Sequence, residues 1–178
     1  LLLEADVNAV YRERLETTRD DIRQALRSAD IGYTGLVIQG ADAVEVKIRD
    51  AAKIEEAAAK LQVLIVSVEP SLLGGGAMNY DLTRGADGVF TLKMTDGART
   101  YYRTQTVAQS IEIVRRRIDE LGTKEPTIQQ QGEDRIVVQV PGLDDPARLK
   151  ALIGKTAKLQ FRMVDEQGDV QAALQGRV

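Results

Sequence analysis

The chain has 178 residues with neither His nor Cys, so its reactive groups are carboxylates, arginines and two glycine-bearing runs. A Ser-His triad, an imidazole or thiolate metal site, a disulfide and a histidine pH switch are all excluded within it. Gly74-Gly75-Gly76 invites a phosphate-loop reading, but no strand feeds it and no Gly-Lys-Ser/Thr follows, so a flexible linker is the better account. Gly154-Lys155-Thr156 is a closer decoy. A phosphate loop needs glycine where Leu149 stands, and the triplet ends a helix rather than opening one, which makes Gly154 a C-cap. The adjacent carboxylates Asp20-Asp21, Glu55-Glu56 and Asp144-Asp145 do not face each other on a helix, and none has calcium-loop spacing. Asp144 and Asp145 precede Pro146, where a helix N-terminus favours anions. The basic run Arg115-Arg116-Arg117 reads as a solvated helical face, since a plait stacks RNA bases on sheet aromatics, this chain is only 4% aromatic and the strand through Ile136–Val140 offers none. The residues therefore nominate no catalytic, metal or cofactor-binding position, and a non-enzymatic role is expected.

Composition points the same way. Apolar residues make up 43% and charged residues 29% of the chain, enough for a core under an ordinary surface, and a net charge of −3 gives no pull towards nucleic acid or an anionic membrane. The sequence begins at Leu1 inside a strand-like stretch, and reads as a piece of a longer protein. Its apolar runs, such as Val63 to Val66, fall far short of the roughly 20 residues a membrane-spanning helix needs. No signal peptide is visible.

The elements that would position these groups centre on Gly132–Gly142, where Ile136, Val138 and Val140 alternate with Val137 and Gln139. Upstream, Val107, Ile111, Val114, Ile118 and Leu121 form one helical stripe. Downstream, Asp145-Pro146 opens a helix and the stretch AKLQFRMV closes the unit as a strand. The first half has the same layout. Asp6 or Asn8 caps a helix from Val7 to Ala29, striped with Tyr11, Leu15, Thr18, Ile22, Leu26 and Ala29. Strands follow at Tyr33 to Gln39 and through Val44, Val46 and Ile48. Asp50 then caps a helix from Ala51 to Leu61, and Val63 to Val68 is expected as a final strand. One offset of 92 residues carries Gly40 onto Gly132, Asp42 onto Asp134, Leu15 onto Val107 and Leu26 onto Ile118. This predicts an α+β fold, a duplicated ferredoxin-like βαββαβ plait with antiparallel sheets and helices on one face. Its expected parts are a first unit over 1–69, an exposed, mobile glycine-rich linker over 70–88, a second unit over 89–165 and a tail over 166–178.

The run from Asp119 to Gly142, with Leu121-Gly122, Glu125-Pro126, Gln129, Gln131-Gly132 and Asp134-Arg135-Ile136-Val137-Val138 before Pro141-Gly142, resembles the SecD family of the bacterial Sec protein-export machinery. The likeness continues through Ile153-Gly154, Thr156-Ala157 and Leu159 to Arg162, while LLLEAD resembles the segment after that family's first membrane span. The resemblance implies the base of the first large periplasmic domain of an inner-membrane protein, with a head subdomain beyond the tail. It implies SecF and the SecYEG channel as partners in late, proton-gradient-driven export of preproteins, with the proton-coupling residues in spans outside this piece. It implies no cofactor. Two other classes compete: a plait that grips a peptide or small ligand at a sheet edge, and a hydrolase needing two distant acids to converge in one pocket.

Overall fold

A computed structural model describes residues 1–69, 76–119, 126–141 and 146–154. The expected strand at AKLQFRMV, the tail over 166–178, Leu121, Asp144 and Asp145 lie outside them. The elements run β1 (Leu2–Glu4), α1 (Val7–Ser28), β2 (Tyr33–Gln39), β3 (Ala43–Ile48), α2 (Ile54–Gln62), β4 (Tyr80–Arg84), β5 (Val89–Met94), α3 (Asp96–Asp119), β6 (Thr127–Gln131), β7 (Arg135–Gln139) and α4 (Pro146–Ile153). The class is α+β, with every strand pair antiparallel.

Helix α1 forms where its stripe predicts. Tyr11, Leu15, Thr18, Ile22 and Leu26 are buried, and the Asp6 carboxylate accepts a hydrogen bond from the Ala9 N–H at 3.0 Å. That bond satisfies one of the donors a helix start leaves open. Asp50 does the same for the turn leading into α2, accepting from the Ala52 N–H at 2.9 Å. On β3, Val44, Val46 and Ile48 are buried, and on β7, Ile136 and Val138 are, so both predicted alternations hold. Gly40 and Gly132, at the two hairpin turns, take φ of 62° and 74°, a region that side-chain-bearing residues rarely occupy.

Strand pairing departs from the sequence layout. One sheet has the order β2-β3-β5-β4 and the other β1-β7-β6. Strand β1 leaves the helix and hairpin that follow it in sequence and pairs with β7, Leu2 opposite Val137 and Glu4 opposite Arg135. Strand β5 goes the other way and pairs with β3, Val44 opposite Leu92 and Val46 opposite Phe90. The two exchanges end alike. The Ala5 N–H donates to the Asp134 carbonyl at 2.8 Å, and the Met94 N–H donates to the Asp42 carbonyl at 2.7 Å.

Two expectations are corrected. Val63 to Val68 is not a strand: it leaves α2 in turns closed by Leu64 N–H to Leu61 O and Ile65 N–H to Gln62 O, and Val63 is 74% exposed. It touches the 76–79 stretch through one isolated bridge, Ser67 to Met78. The sheet edge is taken instead by β4, which lies in the stretch read as a linker. There Tyr80 and Leu82 alternate with Asp81 and Thr83, a strand pattern that the neighbouring glycines masked. Asn79 fastens this region. Its side chain accepts from the Val66 and Tyr80 N–H groups and donates to the Leu64 carbonyl, so its burial leaves nothing unpaired.

Two cores result. The larger gathers Leu15, Ile22, Leu26, Val46, Leu61, Phe90 and Leu92, and the smaller gathers Val107, Val114, Ile118, Ile136, Val138 and Leu149. Phe90 and Leu92 are each worth roughly 1.5–3 kcal/mol of burial, and both reach the first core on an exchanged strand. Val138→Asp is expected to cost on the order of 4 kcal/mol, because Val138 is 1% exposed and a carboxylate there finds no partner. A melting temperature within a degree or so of the parent's would refute that placement. Tyr80, 4% exposed, has its phenol held above its ordinary 10.0 by burial, which outweighs the opposing hydrogen bond donated by Thr18. The unfolded chain then loses that proton first as pH rises. The Tyr80 contribution to stability should be level below about pH 10 and fall above it, and Tyr80→Phe should lessen the decline in urea melts.

Candidate functional site

Where α1 and α3 leave the exchanged strands, their starts are built alike. The Thr95 hydroxyl accepts from the Ala98 N–H at 3.0 Å, repeating at α3 the bond that Asp6 makes at α1. An offset of 89 residues relates Asp6 to Thr95 and Ala9 to Ala98, whereas 92 relates Leu15 to Val107. Helix α3 therefore carries three residues more between its cap and its buried stripe. That is nearly one helical turn, and it lies in the stretch containing Tyr101, Tyr102 and Arg103.

Two concavities flank this segment. A cleft of about 380 Å³ lies at the junction of β1, α1, α3 and the β6–β7 turn, lined among others by Glu4, Asp6, Tyr11, Arg99, Arg103 and Glu133. Several of its groups are engaged with one another. Arg103 pairs with Glu133, the Tyr11 hydroxyl donates to the Arg99 carbonyl at 2.8 Å, and the Arg99 guanidinium lies 5.6 Å from the Tyr11 ring centroid. A groove of about 500 Å³ runs between α1 and α3, with Arg14, Tyr101, Tyr102, Gln105, Gln109 and Ile113 in its walls. Arg14 sits 5.0 Å from the Tyr102 ring centroid, and the two tyrosine rings meet edge to face at 5.8 Å. Burial raises the Tyr102 phenol, which the Arg14 charge opposes. Tyr102 is a half-buried phenol packed under the exposed Arg14 guanidinium, and neither group is placed as a base beside a nucleophile.

The sequence candidates do not converge. Asp20 is held by Arg19 at 3.3 Å and Arg23 at 2.5 Å, while Asp21 is exposed beside it. Desolvation would raise the Asp20 carboxyl, but the hydrogen bonds and charges of Arg23 and Arg19 outweigh it and draw it below its ordinary range. Glu55 pairs with Arg84 at 2.6 Å, and Glu56 is exposed. Arg115 pairs with Glu112 at 3.0 Å, Arg116 is exposed, and Arg117 donates to the Ile153 carbonyl at the end of α4. Gly154 donates its N–H to the Lys150 carbonyl at 2.9 Å just past α4, while Gly74, Gly75, Lys155 and Thr156 lie outside the described residues. Among the described residues no cluster of three metal-ligating side chains forms, and no helix is long and apolar enough to cross a membrane. Of the junction residues, Tyr11 reads from the sequence only as part of the apolar stripe of α1, and Arg99 and Arg103 are not singled out. An aromatic pair in a chain with 4% aromatics was the one signal pointing to this helix.

Comparison with known proteins supplies the wider setting. The family described as "Protein translocase subunit SecDF, P1 domain, N-terminal" matches residues 107–166. The chain is 35% identical to the protein translocase subunit SecD of Rickettsia prowazekii over 178 residues, all of this chain and 32% of that protein. Against SecD of Acetobacter pasteurianus it is 37% identical over 166 residues, 93% of this chain and 30% of the relative. Against that of Escherichia coli it is 35% identical over 179 residues, 99% of this chain and 27% of the relative. The chain thus spans about a third of the length of the curated relatives it matches. No solved structure matches it.

The junction is a packed brace, so its buried contacts should outweigh its ion pair. Tyr11→Phe, which leaves the Arg99 carbonyl without its buried donor, is expected to cost about 1 kcal/mol. Glu133→Gln removes a pair whose glutamate is largely exposed and should cost between roughly 0 and 1 kcal/mol, the lesser of the two. Urea denaturation of both variants checks the ranking, and the reverse order would mean that the cleft depends on charge.

Proposed function

We propose that this chain, a member of the SecD family, is the rigid base of the first periplasmic domain of a membrane-embedded export subunit. In that setting the parent works with SecF beside the SecYEG channel, and assists late translocation of preproteins at the expense of the proton gradient. The base holds and transmits position between membrane spans and a head subdomain reached through the tail over 166–178, and it does no covalent chemistry. The observation that carries this reading is the end-to-end likeness to SecD relatives, 35% identity over all 178 residues in one case. The strand exchange supports the mechanical part. A module whose halves each complete the other's sheet resists being pulled apart, which suits a part that passes on motion.

We take the architecture to be two ferredoxin-like plaits, the first sequence unit running through β4 and the second beginning at β5, that have traded first strands. A βαββαβ plait orders its strands fourth, first, third, second. The order β4-β5-β3-β2 matches this if β5 stands in for the first strand. The order β1-β7-β6 matches its first, third and second places. The shared offsets of turn, cap and stripe support descent from one doubled unit.

The mechanical claim is testable by locking the exchange. Leu1 and Val138 trade both main-chain hydrogen bonds, so the next pair, Leu2 and Val137, is a non-bonded pair with Cα atoms about 4.5 Å apart. That is within disulfide reach. In vesicles, the parent protein carrying Leu2→Cys and Val137→Cys should export preprotein at the unlocked rate when oxidised, whereas deletion of the base should abolish the assistance. A locked base that stalls export, or a dispensable base, would overturn the rigid-lever reading.

A further inference from the structure

Strand β6 is the outer strand of its sheet among the described residues, and it is unlike the other edges. A free strand edge offers a row of unpaired N–H and C=O groups, and soluble proteins blunt such edges with charge, proline, bulges or a covering segment. Strand β2 is blunted by Gly35, whose φ is 60°, and by a register shift between Thr34 and Val37. Strand β4 carries Asp81 and Arg84, and the chain just before it is bridged by Ser67. Strand β1 has three residues and ends in Glu4. Strand β6 reads Thr127-Ile128-Gln129-Gln130-Gln131, with no charge, no proline and a regular register against β7 throughout. Ile128 packs into the smaller core, while Thr127, Gln129, Gln130 and Gln131 are exposed. Alternate residues of β6 turn both main-chain groups away from β7.

We infer that the free edge of β6 binds an extended polypeptide as an added antiparallel or parallel strand, reading its backbone rather than its side chains. The occupant follows from the chemistry of the edge. Main-chain pairing supplies affinity that does not depend on sequence, and glutamine amides both donate and accept, so they meet a neighbouring strand without selecting its charge. An edge lacking charge also lacks the repulsion that would reject acidic or basic segments. Such tolerance fits unfolded cargo of many sequences, and in that respect the inference rests on the export reading above. A firm anchor is present: Gln130 donates to the Gly132 carbonyl at 3.0 Å and pins the turn beyond the strand, so β6 is set in place before anything docks.

The test uses the whole chain with fluorescein-labelled, reduced and carboxymethylated lactalbumin as a permanently unfolded probe. Anisotropy should saturate, and amide exchange at alternate β6 residues should slow about tenfold on binding, with β2 and β4 unchanged. Gln129→Lys and Gln129→Glu should each weaken binding about tenfold with an unaltered melting temperature, because either charge blunts the edge. The opposite signs separate edge pairing from simple attraction to an acidic probe. The inference is overturned by absence of saturable binding, by protection confined to other strands, by one charge strengthening the complex, or by β6 protection that appears without probe as protein concentration rises. The last would mean that a second copy of the chain takes the edge. The locked-base experiment reports separately on the export role: an intact mechanical result with no β6 protection sinks this inference alone, and β6 protection with a dispensable base sinks the export role alone.

Discussion

The structure depends on two strand placements, β1 beside β7 and β5 between β3 and β4. Strand β5 lies inside its sheet, pairing with β3 on one side and β4 on the other, and it carries Phe90, Leu92 and Met94 into the larger core. Withdrawing it would leave β4 without a partner and one edge of β3 open, and would uncover Val44, Val46 and Ile48. Each unpaired buried main-chain group costs as much as a lost hydrogen bond or more. Strand β1 is shorter, yet it closes one side of β7 and brings Leu3 against the smaller core. The sheet β1-β7-β6 takes in a strand from the start of the chain, so its stability depends on a pairing between segments far apart in sequence. The Leu1–Val138 contact joins residues 137 positions apart, and such non-local pairings make folding slow because loop closure must precede the contact that stabilises it.

These placements also explain the junction. Ala5 packs against both cores, and the hydrogen bond from its N–H to Asp134 sets β1 against the hairpin before α1 turns away. The matching bond from Met94 to Asp42 does this for α3. The two helix starts then lie near each other, and the added turn of α3 lets Tyr102, Arg99 and Arg103 reach α1 and the β6–β7 turn. Arg14 covers Tyr102 and Tyr11 binds the α3 backbone, so aromatic and hydrogen-bonding contacts lie between the helices where apolar packing alone is thin. The ion pairs of the chain add little to this. Among the described residues each of them includes at least one side chain that is well exposed, and water weakens such pairs to within about 1 kcal/mol.

Periodicity alone determined a large part of this protein. The limits of α1, β2 and β3, the caps at Asp6 and Asp50, the glycine turns at Gly40 and Gly132, and the buried faces of α1 and β7 all follow from local rules: side chains recur every 3.6 or 2 residues, and particular backbone angles need particular residues. The motif from Asp119 to Gly142 pointed to the family for a similar reason, since it is contiguous in sequence. Which sheet a strand enters was another matter. A strand's alternation says which face is buried and nothing about its neighbour, so β1 and β5 look equally at home beside the segments next to them in sequence. Strand β4 was hidden because glycine-rich surroundings outweighed four alternating residues, and Val63–Val68 read as a strand because apolar β-branched residues carry that propensity even when exposed. Only the tertiary fold decided these points, along with the junction of Tyr11, Arg99, Arg103 and Glu133, because they turn on contacts between residues far apart in the chain, and those are settled by competition among possible partners for the same buried edge.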